Sequence, residues 1–208
     1  MSSQNEPLVV LLHGGYWREQ HGPEHLEPLA QVLRGHGFEV ALPEYRRKAG
    51  DPYLTTTDVN TILKTFSDRK VILVGYSVGG QLALLSAPLF SNIKAILALA
   101  PVTDLLKTEA EELGDGATKE WLPNSAIEYP DLDPMRSEVP LLPMIFIHGD
   151  IDVRVPLSTS ISYVEKAKND GKEIELITLK GVGHFDLIDP ENFAVDSILY
   201  ALKRLRDY

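Results

Sequence analysis

The chain has 208 residues, a formal net charge of −10 and no cysteine. This length suits a single domain over 1–208 with a full core. The acidic balance argues against nucleic acids and anionic membranes as partners, because both bind basic surfaces. The lack of cysteine excludes disulfides and thiolate metal sites. No apolar run spans a bilayer and no signal peptide starts the chain, so we expect a cytoplasmic protein.

Short apolar segments alternate with segments of helical periodicity along the chain. Strands are predicted at 8–12, 38–43, 71–74, 94–101, 140–149 and 173–179. Helices are predicted at 23–34, 156–170 and 192–206. Two more are predicted to begin at a cap formed by Thr57-Asp58 and directly after residue 77. Strands that are apolar throughout are typical of a parallel sheet covered on both faces. The sequence therefore predicts an α/β three-layer sandwich around six mostly parallel strands.

Glycines and aromatic residues directly follow the first predicted strand, in the run His13-Gly14-Gly15-Tyr16-Trp17. Two glycines allow a loop to turn its backbone N–H groups inward. We predict that Gly15 and Tyr16 donate hydrogen bonds to an oxyanion. His13, Gly14 and Trp17 are expected beside the substrate. The alternative is a simple turn in which Trp17 only packs.

The most informative motif is Gly75-Tyr76-Ser77-Val78-Gly79, between the third predicted strand and an apolar helix. Such a turn exposes the serine hydroxyl above the sheet, and its glycines let two backbone segments pass closely. The following helix points its N-terminus at the serine, where partial positive charge favours an anion. We predict Ser77 as nucleophile, Val78 N–H as a third oxyanion donor and Tyr76 as a substrate contact. The alternative is an ordinary turn serine.

Residues 102–138 separate two predicted strands by much more than one crossover requires. We expect two short helices and a loop there, in an insertion above the strand ends, where ligands bind in this architecture. Trp121 either lines a substrate pocket or forms the core of the insertion, and the sequence favours neither.

A serine nucleophile needs a general base and an acid that orients the base. The candidate base is His184, flanked by glycine on the loop after the last predicted strand; an ordinary loop histidine is the alternative. Asp150 and Asp152 compete as the acid. We favour Asp152, which lies on the part of the loop expected to face His184. Asp150 is then expected to stabilise the turn.

These residues resemble those of the α/β-hydrolases over nearly the whole chain. The resemblance rests on the Gly-x-Ser-x-Gly motif around Ser77, on Asp152 within His-Gly-x-x-Asp-x-x-Val-Pro, and on His184. It implies the α/β-hydrolase fold and a Ser-Asp-His triad. The run 13–17 is similar to the oxyanion motif of kynurenine formamidases and small carboxylesterases. Two strands that usually precede this motif are missing, so we expect a minimal six-stranded sheet.

The predicted reaction is hydrolysis of small carboxylic esters through an acyl-enzyme on Ser77, with no cofactor and no metal. Arylformamidase activity, as on N-formylkynurenine, is the alternative. A peptidase is less favoured, because we expect no extra domain. A non-catalytic binding protein on the same fold is also less favoured, because all three triad candidates are present. The expected partner is a small-molecule ester or amide, and a homodimer is a possible assembly.

Overall fold

The computed structural model describes residues 6–208, which form a six-stranded parallel sheet. The strands are β1 (Leu8–Leu12), β2 (Val40–Ala41), β3 (Val71–Tyr76), β4 (Ile93–Leu99), β5 (Met144–Gly149) and β6 (Ile174–Leu179). They lie in the order β2-β1-β3-β4-β5-β6, and every neighbouring pair is parallel. The carboxyl ends of all six strands therefore lie along one edge. The predicted fold class is confirmed.

Helices cover both faces of this sheet. They are α1 (Glu27–Gly35), α2 (Pro52–Lys64), α3 (Val78–Ser86), α4 (Leu105–Ala110), α5 (Leu113–Trp121), α6 (Leu157–Asn169) and α7 (Ala194–Arg206). The apolar residues of α2, α3 and α6 belong to one core cluster, and those of α1 and α7 belong to the other. Within residues 6–208, no helix is both long enough and apolar enough to cross a bilayer.

Strand β1 shows why the sequences of the strands are apolar at successive positions. Val10 and Leu12 pack in one core cluster, whereas Val9 and Leu11 pack in the other. Successive side chains point to opposite faces of a strand. Because both faces are covered by helices, every residue of β1 is buried.

Helix α2 begins earlier than the sequence analysis predicted. The expected cap at Thr57 and Asp58 is wrong, because the helix starts at Pro52 with Asp51 at the N-cap position. Proline has a fixed φ that suits the first turn of a helix, where its missing N–H would have no partner anyway. Asp58 instead holds the Arg46 guanidinium through two hydrogen bonds of 2.8 and 2.7 Å.

The insertion at 102–138 contains α4, α5 and two short 3-10 turns, at Ala126–Glu128 and Pro130–Leu132. Helix α5 opens with left-handed backbone at Gly114 (φ 65°). A Cβ on Gly114 would lie 2.7 Å from the Tyr16 ring. The start of α5 therefore packs directly on the loop that follows β1, and only glycine fits at the contact.

Gly75→Ala should lower the free energy of unfolding by about 1–3 kcal/mol, because the added Cβ would meet unyielding backbone. That Cβ would lie 2.6 Å from Gly80 Cα. The matched control is Gly35→Ala, where no atom lies within 4 Å of the new Cβ. Urea unfolding of both variants, followed by circular dichroism, tests this. Equal stability of the two variants would contradict the close packing of the β3–α3 turn.

Candidate active site

Ser77 sits at the apex of the turn between β3 and α3, with φ 56° and ψ −120°. This conformation is rare for a residue with a side chain and costs about 1–3 kcal/mol. The surrounding backbone maintains it: Ser77 N–H donates to the Leu99 carbonyl at 2.8 Å, and the Ser77 carbonyl accepts from Gly80 and Val102. The strain is thus held by three backbone hydrogen bonds, which fix the position of the hydroxyl.

The two glycines of the turn are required by close backbone approach. A Cβ on Gly75 would lie 2.6 Å from Gly80 Cα, and a Cβ on Gly79 would lie 2.6 Å from the His13 carbonyl oxygen. Real Cβ atoms do not approach backbone this closely. The β3–α3 turn can therefore press against the end of β1 only with glycine at both positions.

His184 and Asp152 are joined at the carboxyl edge of the sheet. His184 Nδ1 lies 2.7 Å from Asp152 Oδ2, and both side chains are buried. Asp152 Oδ1 also accepts the N–H groups of Arg154 and Val155, each at 2.8 Å. Burial alone would raise the pKa of Asp152, but hydrogen bonds from His148, His184 and the backbone hold it well below its usual value. Asp152 is therefore ionised and accepts Nδ1–H, which leaves His184 Nε2 as the proton acceptor.

Ser77 and His184 line the same cavity. Among the described residues, no hydrogen bond joins the Ser77 hydroxyl to the imidazole. In structures without substrate this bond is often long and tightens only in the complex. The geometry is compatible with a nucleophile and base that engage on substrate binding.

The two competing acids have different contacts. Asp150 is exposed, and its Oδ1 accepts the Gly181 N–H at 2.6 Å, which ties the loop after β5 to the loop after β6. Asp152 alone of the pair contacts His184. Asp152 thus contacts His184, whereas Asp150 joins the two loops.

His148 was passed over in the sequence analysis. It is fully buried at the end of β5, with Nε2 2.9 Å from the Val155 carbonyl oxygen and 3.4 Å from Asp152 Oδ2. Its Nδ1 lies 2.8 Å from Ser160 Oγ. His148 therefore packs against the Asp152 carboxylate and approaches the same oxygen that contacts His184. The available signal was its position at a strand end, one residue before a glycine.

The loop after β1 carries the predicted oxyanion donors. Gly15, Tyr16 and Trp17 all have positive φ, at 117°, 48° and 59°. Within residues 6–208, the N–H groups of Gly15, Tyr16 and Val78 have no protein acceptor. A Cβ on Gly14 would lie 2.9 Å from Ser77 Cβ, so the loop rests against the serine. These three N–H groups are available to a ligand at the cavity.

His13 does not lie beside the substrate cavity, which corrects the expectation for it. It is fully buried, its Nδ1 lies 2.8 Å from the Gly14 carbonyl, and its ring stacks on Tyr45 at 4.1 Å. Arg47 Nη1 lies 3.1 Å from His13 Nε2 and must be the donor, so the imidazole is neutral. Burial lowers the pKa of His13 to about 4. His13 therefore supports the oxyanion loop from behind.

Trp17 and Trp121 also lie outside the cavity at Ser77. Their rings stack at 4.2 Å with an interplanar angle of 1°, and both are buried. Trp17 Nε1 donates to Gln81 Oε1 at 2.9 Å. Trp17 belongs to the loop after β1 and packs on Trp121 of the insertion, so neither indole lines the cavity that holds Ser77. Both border a separate, open depression of about 540 Å³, and contact of either indole with substrate stays a prediction.

The cavity at Ser77 has a volume of about 180 Å³. Its lining includes Tyr76, whose hydroxyl donates to the His184 carbonyl at 3.1 Å. Five lining residues were not predicted: Arg18, His21, His25, Arg154 and Phe185. Arg18, His21 and His25 follow the run 13–17 on one segment between β1 and α1, and Phe185 follows His184, so proximity in sequence was the available signal for these four. Arg154 comes from the loop after β5, and its place in the lining follows from the packing of distant loops.

A larger, open depression of about 600 Å³ lies elsewhere, around Glu44, Arg46 and Lys48. Its lining contains neither Ser77 nor His184. We therefore assign the site to the smaller cavity, because only there do the candidate nucleophile and base meet. In the described part of the chain, no group of three or more His, Asp or Glu side chains is arranged to hold a metal ion.

A comparison with family models matches residues 53–199 to the prolyl oligopeptidase family. The match covers more than half of the chain and includes Ser77, Asp152 and His184. A comparison with curated proteins finds no match.

Solved structures similar to this chain include three hydrolases. An esterase/lipase from an uncultured bacterium is 21% identical with TM-score 0.81, over 98% of this chain and 77% of that one. A hyperthermophilic esterase from the archaeon Pyrobaculum calidifontis is 20% identical with TM-score 0.82, over 99% and 79%. The acetyl ester-xyloside bifunctional hydrolase from Caldicellulosiruptor lactoaceticus is 19% identical with TM-score 0.80, over 100% and 85%. At these identities the likeness shows the fold, which is that of the α/β-hydrolases.

The buried His13 should make the protein less stable in acid. Its folded pKa of about 4 lies below the ordinary 6.5, so the unfolded chain takes up the proton more readily. The stability that neutral His13 contributes is complete above pH 6.5 and is lost as the pH falls toward 4. When the pH is lowered from 6.5 to 4, the free energy of unfolding measured in urea should fall by about 3 kcal/mol more in the natural protein than in His13→Gln. Parallel losses in the two proteins would contradict this assignment.

Proposed function

This chain belongs to the prolyl oligopeptidase family, and we propose that it is a serine hydrolase of small carboxylic esters. The observation that carries the proposal is the meeting of three groups at one edge of the sheet. Ser77 and His184 share a cavity, and His184 Nδ1 lies 2.7 Å from the ionised Asp152 carboxylate. Ester hydrolysis is proposed first because the similar solved structures are described as esterases.

In the proposed reaction, Ser77 Oγ attacks the ester carbonyl carbon while His184 Nε2 takes the hydroxyl proton. Asp152 holds the imidazole in the required tautomer and stabilises the imidazolium that forms. The tetrahedral intermediate collapses, and the alcohol leaves with the proton from His184. Water, activated by the same histidine, then attacks the acyl-enzyme and releases the carboxylic acid and the serine hydroxyl.

The negative oxygen of the tetrahedral intermediate requires donors that are already in place. The N–H groups of Gly15, Tyr16 and Val78 are proposed for this role, because each lacks a protein acceptor in the described range 6–208. Val78 is also the first residue of α3, so the partial positive charge of the helix N-terminus adds to its effect. Loss of one such donor costs about 10²- to 10³-fold in kcat.

Peptide hydrolysis is the second candidate, because the family is named for an oligopeptidase. The cavity does not favour it: no Asp or Glu is among its lining residues, so a peptide α-amine would have no carboxylate to bind there. Arylformamidase activity stays a prediction based on the loop sequence 13–17. The same machinery would attack a formamide carbonyl, so a substrate panel must separate the two reactions.

Ser77→Ala should reduce hydrolysis of p-nitrophenyl acetate and butyrate by at least about 10⁴-fold, because no other group can form the acyl-enzyme. The natural protein should also react with a fluorophosphonate probe, and the variant should not. Ser91→Ala, a change in the turn before β4, is the matched control and should keep both activities. Unchanged hydrolysis by Ser77→Ala would refute the mechanism. N-formylkynurenine in the same panel decides between esterase and formamidase.

Asp152→Asn should lower kcat by about 10⁴-fold, because asparagine does not hold His184 in the tautomer that accepts the serine proton. Asp150→Asn is the matched control, since it lies two residues away and keeps the oxygen that accepts from Gly181. Its effect on kcat should be far smaller. Steady-state kinetics on p-nitrophenyl butyrate measure both variants. A larger loss of kcat in Asp150→Asn than in Asp152→Asn would indicate that Asp150 is the acid that orients His184.

A further inference from the structure

The charge of the cavity at Ser77 is opposite to that of the chain. The chain carries a net charge of −10, yet the cavity lining contains two arginines and three histidines and no acidic residue. A concave wall with charges of one sign concentrates ligands of the opposite sign. Such a wall favours a negatively charged ligand.

One of the two arginines is already neutralised. Arg18 donates from Nε and Nη2 to the Glu120 carboxylate, at 2.8 and 2.9 Å. This pair connects the loop after β1 to α5 of the insertion. Arg18 therefore serves the packing of the insertion, and its charge is compensated without substrate.

Arg154 differs from Arg18 in having no carboxylate partner. Within residues 6–208, its guanidinium makes neither an ion pair nor a hydrogen bond to protein. Its backbone, in contrast, is fixed on both sides: the N–H donates to Asp152 Oδ1 at 2.8 Å, and the carbonyl accepts from the Tyr16 hydroxyl. The backbone of Arg154 is thus held between the acid loop and the oxyanion loop, and its side chain lines the cavity.

The charge of Arg154 is felt inside the cavity. Burial raises the pKa values of the Tyr16 and Tyr76 phenols; the negative charge of Asp152 adds to the rise at both, and the positive charge of Arg154 opposes it. Both phenols line the cavity with Ser77. Burial lowers the pKa of His25, so that imidazole is neutral at pH 7. Of the two arginines in the lining, Arg154 is therefore the one whose permanent positive charge has no carboxylate partner within residues 6–208.

We propose that Arg154 binds a carboxylate of the substrate, so that the preferred substrates are small esters carrying a second, unesterified carboxylate. A planar guanidinium binds a carboxylate through two parallel hydrogen bonds, which would also orient the ester carbonyl toward Ser77. The cavity of about 180 Å³ suits a chain of few atoms, such as a monoester of a short dicarboxylic acid. This inference rests on the proposed ester hydrolysis.

The test compares two substrates that differ only in charge: methyl hydrogen glutarate and the methyl ester of glutaric acid monoamide. Titration of the released acid gives kcat/KM for each. The natural protein should prefer the carboxylate, and Arg154→Met should lower the carboxylate-to-amide ratio of kcat/KM about tenfold. Arg154→Lys should restore part of the ratio, since it keeps the charge but not the planar fork.

Arg69→Met is the control for net charge. Arg69 pairs with Glu39 at 2.6 Å and precedes β3, at the opposite end of the sheet from Ser77. This variant should keep the natural ratio. A natural preference for the amide, or an equal loss of ratio in Arg69→Met and Arg154→Met, would overturn the proposal.

A binding measurement separates this proposal from the proposed reaction. Calorimetric titration of Ser77→Ala with the intact carboxylate ester should show binding that weakens about tenfold when Arg154→Met is added. If the natural protein hydrolyses neither ester but this binding difference is present, the proposed ester hydrolysis is refuted and the carboxylate site at Arg154 is supported. If both esters are hydrolysed but Ser77→Ala binds them equally, the carboxylate site is refuted and the proposed ester hydrolysis is supported.

Discussion

The contact between the β3–α3 turn and the end of β1 is the constraint on which the rest of the site depends. A Cβ on Gly79 would lie 2.6 Å from the His13 carbonyl oxygen, and a Cβ on Gly14 would lie 2.9 Å from Ser77 Cβ. Because these two segments are in contact, the strained serine lies next to the loop whose N–H groups are unpaired within residues 6–208. His13, neutral and buried, supports that loop from the other side.

The acid and the base meet through a second backbone contact, between the loops after β5 and β6. A Cβ on Gly149 would lie 2.6 Å from the Val182 carbonyl carbon, and Asp150 accepts the Gly181 N–H. With the loops held together, Asp152 reaches His184 at 2.7 Å. Neighbouring parallel strands end at one edge of the sheet, so the strand order brings these two loops together, and the contacts between them then position Asp152.

The insertion packs on the loop after β1, which supplies part of the cavity lining. The stacked rings of Trp17 and Trp121 and the ion pair between Arg18 and Glu120 join the two segments. These contacts bury one aromatic pair and neutralise one arginine. Arg154, on the opposite loop, has no such partner in the described range 6–208. The distribution of charge around the cavity thus follows from which loops the insertion covers.

The sequence by itself determined the parallel sheet and the strand-turn-helix around Ser77, and it limited the candidate acid to Asp150 or Asp152, with Asp152 favoured. These features depend on local periodicity and on glycine spacing, which short segments carry. Only the tertiary structure decided that Asp152 is the carboxylate in contact with His184. It also decided that His13 and Trp17 are buried and that Arg154 lines the cavity. Periodicity tells which face of an element a residue occupies, but contacts between distant loops depend on how the whole chain packs.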